Sequence, residues 1–207
     1  ENKTVYAENI IIATGSKPRI IPNIGVDEKI IMTSDGVDHM KSFPKSMVIV
    51  GAGVIGCEYA TIFSNFGKTK VYLIDRSDRI LPFEDTDISD MISKNLKIKG
   101  VTIHNKAQLE RLEVKDGKVE YELSYKDGKK EVIRVEKALL SVGRKLCIDG
   151  LKMENAGVTL SKRGVHIGDI NTQTNIPNIY VVGDASGHIS LVNVGELEGR
   201  YAVERMF

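Results

Sequence analysis

Residues Ser46–Asp75 read SMVIVGAGVIGCEYATIFSNFGKTKVYLID, and the fold of the 207-residue chain turns on this stretch. Met47–Val50 is a short apolar run of the kind a buried parallel strand requires. Gly51, Gly53 and Gly56 follow at the spacing G-x-G-x-x-G. In such a turn the first glycine permits the tight bend and the second lets a pyrophosphate reach the backbone. The third lets the helix pack close to the strand. Val54 and Ile55 open a helix expected to run to about Phe66, with its free N–H groups and positive dipole end at the phosphate. Gly67 is a helix stop, Val71–Ile74 a second strand, and Asp75 sits at its end, about 20 residues past the last glycine. A carboxylate there can accept both ribose hydroxyls. A glycine-rich turn that binds nothing would need neither the flanking strands and helix nor the terminal acid, yet all are in place. The stretch predicts a dinucleotide site.

Asp75 also bears on which dinucleotide is taken. It accepts hydrogen bonds from an adenosine ribose and repels a 2′-phosphate, so NAD(H) is expected over NADP(H). Arg76 follows directly and would soften that preference by attracting a phosphate; otherwise it is a solvated surface arginine. NADP(H) stays open on that account.

With 29 basic against 28 acidic residues the charge is nearly balanced, which offers neither a nucleic-acid-binding tail nor a polybasic membrane patch. No apolar run approaches the length of a membrane span. Cys57 and Cys147 make no disulfide framework, and Cys57 falls within the glycine-motif helix, where a small buried thiol is expected. A cytoplasmic protein is expected. The chain opens on Glu1 and closes at Tyr201–Phe207 without a helix stop, so a piece of a longer protein is the expectation.

Around the central stretch, Asn9–Ala13 reads as a buried strand ending in Thr14-Gly15-Ser16-Lys17-Pro18. Ile31–Met40 suits a short helix capped by Thr33 or Ser34, and Phe43-Pro44 a linker. After Asp75, a helix capped by Asp85 or Thr86 is expected to reach about Lys97, followed by a strand at Val101–His104. Three alternating runs, Leu109–Lys115, Lys118–Tyr125 and Lys129–Val135, are separated by Asp116-Gly117 and Asp127-Gly128, a strong hairpin signal. They predict a β-meander in place of a second crossover helix. Ala138–Val142 is a further buried strand, ending at Gly143-Arg144. Leu151–Leu160 reads as a short helix and turn, Val165–Ile167 and Ile179–Val182 as strands, and Leu191–Phe207 as a terminal helix.

Four motifs then follow one another: Ala13-Thr14-Gly15-Ser16-Lys17-Pro18, GAGVIGCE at Gly51–Glu58, Gly143-Arg144, and TNIPNIYVVGD at Thr174–Asp184. On these, with ENAGVTLSKRGVHIGD between the last two, the chain resembles the flavin-dependent pyridine nucleotide-disulfide oxidoreductases over essentially its whole length. The resemblance implies an α/β FAD/NAD(P)-binding fold: a Rossmann-like three-layer NAD(P)-binding domain with a β-meander at residues 45–146, flanked by partial FAD-domain segments at residues 1–44 and 147–207. It implies FAD contacts at Thr14, Gly15, Gly183 and Asp184, with Gly15 near the adenine side and Asp184 on the ribityl chain. It places Gly143 near the bound nicotinamide nucleotide and Glu58 near nicotinamide and flavin. The last helix would aim its N-terminus at the flavin ring, where reduction places negative charge. On residue type alone, Asp184 suits a helix or turn cap, and Glu58 a dipole-favoured acid on the first helical turn.

Several family features are missing from the sequence. These are a second G-x-G-x-x-G, a Cys-x-x-x-x-Cys pair and the C-terminal interface domain with its histidine–glutamate pair. His39, His104, His166 and His188 match no catalytic position and read as surface or strand-end residues. The family's Gly-Arg-x-Pro-Asn is here Gly143-Arg144-Lys145-Leu146-Cys147. The chain is thus expected to hold no catalytic residue and no metal, and by itself neither to turn over nor to retain FAD. The intact protein would pass electrons between NAD(H) and a redox disulfide or dihydrolipoamide through FAD, as dihydrolipoyl dehydrogenases do, and would be a homodimer through its C-terminal domain. A soluble pyridine nucleotide transhydrogenase is the alternative, favoured by the run GVIGCEYATIF; a non-enzymatic nucleotide-binding module is a third. The partners expected are small-molecule nucleotides, with neither nucleic acid nor membrane.

Overall fold

The glycine stretch lies within Pro18–Gly143, one of two units into which the chain divides; the computed structural model describes residues 3–161, 164–165 and 172–207. This unit runs β1 (Ile31–Met32), α1 (Ser34–Val37), β2 (Ser46–Val50), α2 (Val54–Asn65), β3 (Lys70–Ile74), α3 (Thr86–Ile98) and β4 (Thr102–His104). It continues with β5 (Gln108–Lys115), β6 (Lys118–Ser124), β7 (Lys130–Val135) and β8 (Lys137–Leu140). β1, β8, β2, β3 and β4 lie side by side in that order as one parallel sheet. β5, β6 and β7 form the antiparallel meander.

The side chains of β2 alternate between two cores. Met47 and Ile49 pack with Cys57, Ala60, Phe63 and Leu96 on the helix side. Val48 and Val50 pack with Leu112, Tyr121 and Leu123 of the meander. Both faces being covered, the strand reads as an unbroken apolar run. Each such aliphatic side chain, fully buried, stabilises the fold by roughly 1.5–3 kcal/mol over leaving it in water. The result is the expected three-layer unit of helices, parallel sheet and meander. Asp116 and Gly117 both take positive φ (49° and 71°), as a two-residue hairpin turn between β5 and β6 demands.

The boundary expected near Lys45 falls inside this unit. Ile31 and Met32 form its edge strand beside β8, and the Ala138 N–H donates to the Ile30 carbonyl at 2.9 Å. The expected linker is tied in as well. The Pro44 carbonyl accepts the Thr69 hydroxyl at 2.7 Å, and the Phe43 ring packs on Phe66 with centroids 4.8 Å apart. The closing boundary likewise lies at Gly143 rather than at residue 146. The helix expected over Ile31–Met40 shrinks to Ser34–Val37, with Thr33 Oγ1 accepting the Asp35 N–H at 3.3 Å as its cap.

The other unit comprises residues 1–17 and 144–207. Ile10–Ile12 pairs in parallel with Ile179–Val181. Ile12 packs with Met153, Val158 and Val181. Ile10 and Ile11, however, are 45% and 38% exposed, because a two-stranded sheet leaves one face uncovered by the described residues of its unit. A 3-10 turn at Met153–Ala156 stands where the short helix was expected. Of the strand expected over residues 165–167, Val165 pairs with Leu160, and residues 166–167 lie outside the described residues. The terminal helix α4 spans Val192–Met206. No helix among the described residues is long and apolar enough to cross a membrane.

Candidate dinucleotide site

The turn after β2 is defined by where its backbone groups find partners. The Gly51 N–H donates to the Ile74 carbonyl at 2.8 Å, and the Gly51 carbonyl lies 2.8 Å from Ser141 Oγ. The Ala52 N–H donates to Asp75 Oδ2 at 2.7 Å, and the Ala52 carbonyl accepts the Leu81 N–H at 2.7 Å. The Gly53 carbonyl accepts the Cys57 N–H at 3.0 Å, the first bond of α2. That leaves the N–H groups of Val54, Ile55 and Gly56 with no acceptor among the described residues, at the positive end of a 12-residue helix.

The three glycines meet three different surroundings. Gly51 has φ of 102°, in the left-handed region, and a Cβ there would run into the Ser141 carbonyl. A Cβ on Gly56 would overlap the Gly51 carbonyl. A Cβ on Gly53 would meet nothing within 4 Å, so open space lies beside the free amides' own turn at this position. This is a cradle open at one point, and it fits the pyrophosphate of a dinucleotide.

Asp75 closes the second side. Its Oδ1 accepts the Ser77 N–H at 2.8 Å while Oδ2 holds Ala52, which leaves the remaining lone pairs for hydroxyl donors. Arg76 is exposed and makes no hydrogen bond or ion pair among the described residues. Gly143, exposed and with φ of 104°, lies three residues past the end of β8, the strand beside β2. The sheet order reverses between β2 and β8, so Gly51–Gly56, Asp75 and Gly143 all gather at the carboxyl ends of strands around that switch point. Glu58 is exposed and opens the second turn of α2, not the first, because the helix begins at Val54. Val54 is exposed and Ile55 half-buried. Cys57 is buried against the Ala52 carbonyl, and burial, with Asp75 and Glu58 nearby, pushes its thiol up to about 11.

The other unit brings together Ser16, Arg144 and Asp184. The Ser16 hydroxyl donates to Asp184 Oδ2 at 2.5 Å. Arg144 donates through Nε to Ser16 Oγ at 2.6 Å and through a terminal nitrogen to the Ser16 carbonyl at 2.8 Å. Asp184 Oδ1 keeps no partner among the described residues and stays available as an acceptor. Gly15 has φ of 69°, and its carbonyl accepts the Cys147 N–H at 2.9 Å; Thr14 beside it is exposed. The Gly183 N–H donates to Glu198 Oε2 of α4 at 2.6 Å. Ser141 and Glu198 carry no sequence signature of their own, and only the register of distant strands and α4 reveals them. His39 and His188 are exposed, whereas His104, at the strand end as expected, is half-buried; His166 lies outside the described residues. Among the described residues no group of three or more His, Cys, Asp or Glu is placed to hold a metal ion.

A parallel sheet with a glycine turn, an acid ending the next strand and a meander for its second cover defines a dinucleotide-binding protein of the FAD/NAD(P) fold. More narrowly, the chain belongs to the pyridine nucleotide-disulphide oxidoreductase family, whose model matches residues 1–199. It is 38% identical to the dihydrolipoyl dehydrogenase of Bacillus subtilis (strain 168) over 99% of this chain and 43% of that protein. It is 36% identical to the soluble pyridine nucleotide transhydrogenase of Yersinia pestis (strain Pestoides F) over 98% of this chain and 42% of that protein. The HOCl-induced flavoprotein disulfide reductase RclA from Escherichia coli, solved as a Cu(II) complex, superposes with a TM-score of 0.86 at 28% identity, over 98% of this chain and 45% of that one. The chain spans less than half the length of each of these three proteins.

Proposed function

We propose that the chain is the NAD(H)-binding part, with adjoining flavin-site segments, of a flavoprotein that acts as dihydrolipoyl dehydrogenases do, moving electrons between NAD(H) and a redox disulfide or dihydrolipoamide. The observation that carries this reading is the set of free amides at Val54, Ile55 and Gly56, open to approach across Gly53 and flanked by the Asp75 carboxylate. In it, Gly51–Gly56 take the pyrophosphate, Asp75 the adenosine ribose, and Gly143 and Glu58 lie toward the nicotinamide. Thr14, Gly15, Gly183 and Asp184 serve the flavin, with Asp184 Oδ1 accepting from a hydroxyl. FAD, when bound, supplies the two-electron step between nucleotide and disulfide. The chain's own share is to bind and orient; it contributes no redox cysteine pair and no acid–base residue, and alone it neither turns over nor retains FAD. The whole protein is a homodimer in this reading. Two free cysteines fit a reducing, cytoplasmic setting.

A second reading, a pyridine nucleotide transhydrogenase, is favoured by Arg76, which is exposed and unpaired among the described residues right beside Asp75. Calorimetric titration of the purified chain with NADH and NADPH separates the two. NADPH weaker than NADH by at least about tenfold supports the dehydrogenase. Equal affinities favour the transhydrogenase, and binding of neither nucleotide removes the site assignment.

A further inference from the structure

We infer that Ser141, just past the end of β8, is a positioning residue for the pyrophosphate turn, an inference that rests on reading Gly51–Gly56 as the NAD(H) site. Far away in sequence, Ser141 reaches the turn through the sheet: Leu140 pairs with Val50, and the Ser141 N–H donates to the Val50 carbonyl at 2.8 Å. Its hydroxyl then lies 2.8 Å from the Gly51 carbonyl and 3.0 Å from that of Val50.

The space around this hydroxyl is shared with the motif. A Cβ on Gly51 would run into the Ser141 carbonyl, and a Cβ on Gly56 would come within 2.8 Å of Ser141 Oγ. Gly56 therefore has to stay small to clear both the Gly51 carbonyl and the Ser141 hydroxyl, and Gly51 to clear the Ser141 backbone. The hydroxyl holds one end of a single peptide unit, the Gly51 carbonyl. Asp75 Oδ2 holds the other end, the Ala52 N–H, at 2.7 Å. A peptide plane gripped at both ends cannot rotate, so the Gly51 carbonyl stays turned away from the arriving phosphate and the free amides beyond it keep their aim. Such preorganisation is what lets a fixed dipole array bind an anion without first being reordered.

The test uses an isosteric pair. Ser141→Thr keeps the hydroxyl and Ser141→Val replaces it with a methyl of the same shape, so both make the same packing demand. In calorimetry with NADH, Ser141→Val and Ser141→Ala are expected to bind about tenfold more weakly than the unsubstituted chain, and Ser141→Thr within about threefold of it. In the free chain, amide exchange at Ala52 is expected to quicken in the alanine variant and not in the threonine variant. Unchanged NADH affinity in Ser141→Ala overturns the inference, as does an equal loss in the threonine and valine variants, which would mark a packing effect. Should both β-branched variants fail to fold, affinity and exchange in Ser141→Ala decide. If the unsubstituted chain binds no NADH, the site reading itself falls and the inference with it.

Discussion

Asp75 Oδ2 accepts the Ala52 N–H at 2.7 Å, so the residue assigned to the ribose is also a brace of the phosphate turn. Its other oxygen is bound to the Ser77 N–H at 2.8 Å. An asparagine of the same shape has one acceptor oxygen, and its amide nitrogen would face a backbone N–H. Hydrogen bonds to charged groups are each worth roughly 1.5–3 kcal/mol, so Asp75→Asn is expected to weaken NADH by about ten- to a hundredfold and also to lower the thermal midpoint of the free chain. Calorimetry and a melting curve read the two effects. An unchanged midpoint would show that the turn needs no brace.

The glycines of the motif separate stability from binding. Gly53 has φ of −76°, which any residue adopts, and an added Cβ meets nothing within 4 Å. Gly53→Ala is therefore expected to keep stability within about 0.5 kcal/mol while losing most NADH affinity, because the methyl occupies the pyrophosphate's approach. Gly56→Ala forces a Cβ into the Gly51 carbonyl and is expected to cost at least about 1–3 kcal/mol of stability in urea denaturation. Equal stability losses at the two positions would refute this division of roles.

The two thiols are expected to behave differently. Cys57 is buried on α2, bonded to the Ala52 carbonyl, and its thiol is pushed up to about 11, so almost no thiolate exists at neutral pH. Cys147 is only half-buried. A thiol-reactive dye at pH 8 should modify Cys147 in the folded chain and both cysteines in denaturant, as counted by mass spectrometry. Rapid labelling of Cys57 in the folded chain would mean that α2 opens readily.

The site was legible where its parts lie close together in sequence. Gly51, Gly53, Gly56 and Asp75 sit on one strand–helix–strand stretch, whose apolar periodicity and glycine spacing announce the geometry without help from elsewhere. The rest of the site depends on long-range register, which no local pattern encodes. Ile31–Met32 contributes only two strand residues, too few for any periodicity, so the sequence there suits a short helix rather than the edge strand of the sheet. Ser141 is a serine at a strand end, a residue type with no motif, and its place beside Gly51 follows from the pairing of β8 with β2. Ser16, Arg144 and Asp184 were visible as pieces of three motifs, but the hydrogen bonds that join them are a property of the folded unit alone.

His104 gives the unit a pH dependence whose sign follows from its surroundings. The ring stacks on Tyr72 of β3, with centroids 6.2 Å apart, and its Nδ1 lies 2.6 Å from the Tyr125 hydroxyl. Nε2 is buried without a partner among the described residues. Burial holds the imidazole below the ordinary histidine value; Lys129 adds to that effect, and Glu131, 3.9 Å from Nδ1, opposes it. The folded chain therefore binds this proton less readily than the unfolded one. Stability is full above the unfolded value of about 6.5, declines as pH falls below it, and levels off only below the lowered folded value. Urea denaturation between pH 8 and pH 5 is expected to show that decline in the unsubstituted chain. His104→Phe preserves the stacking and removes the proton site, and its stability should fall less over the same range. Parallel curves for the two proteins would place the acid sensitivity elsewhere.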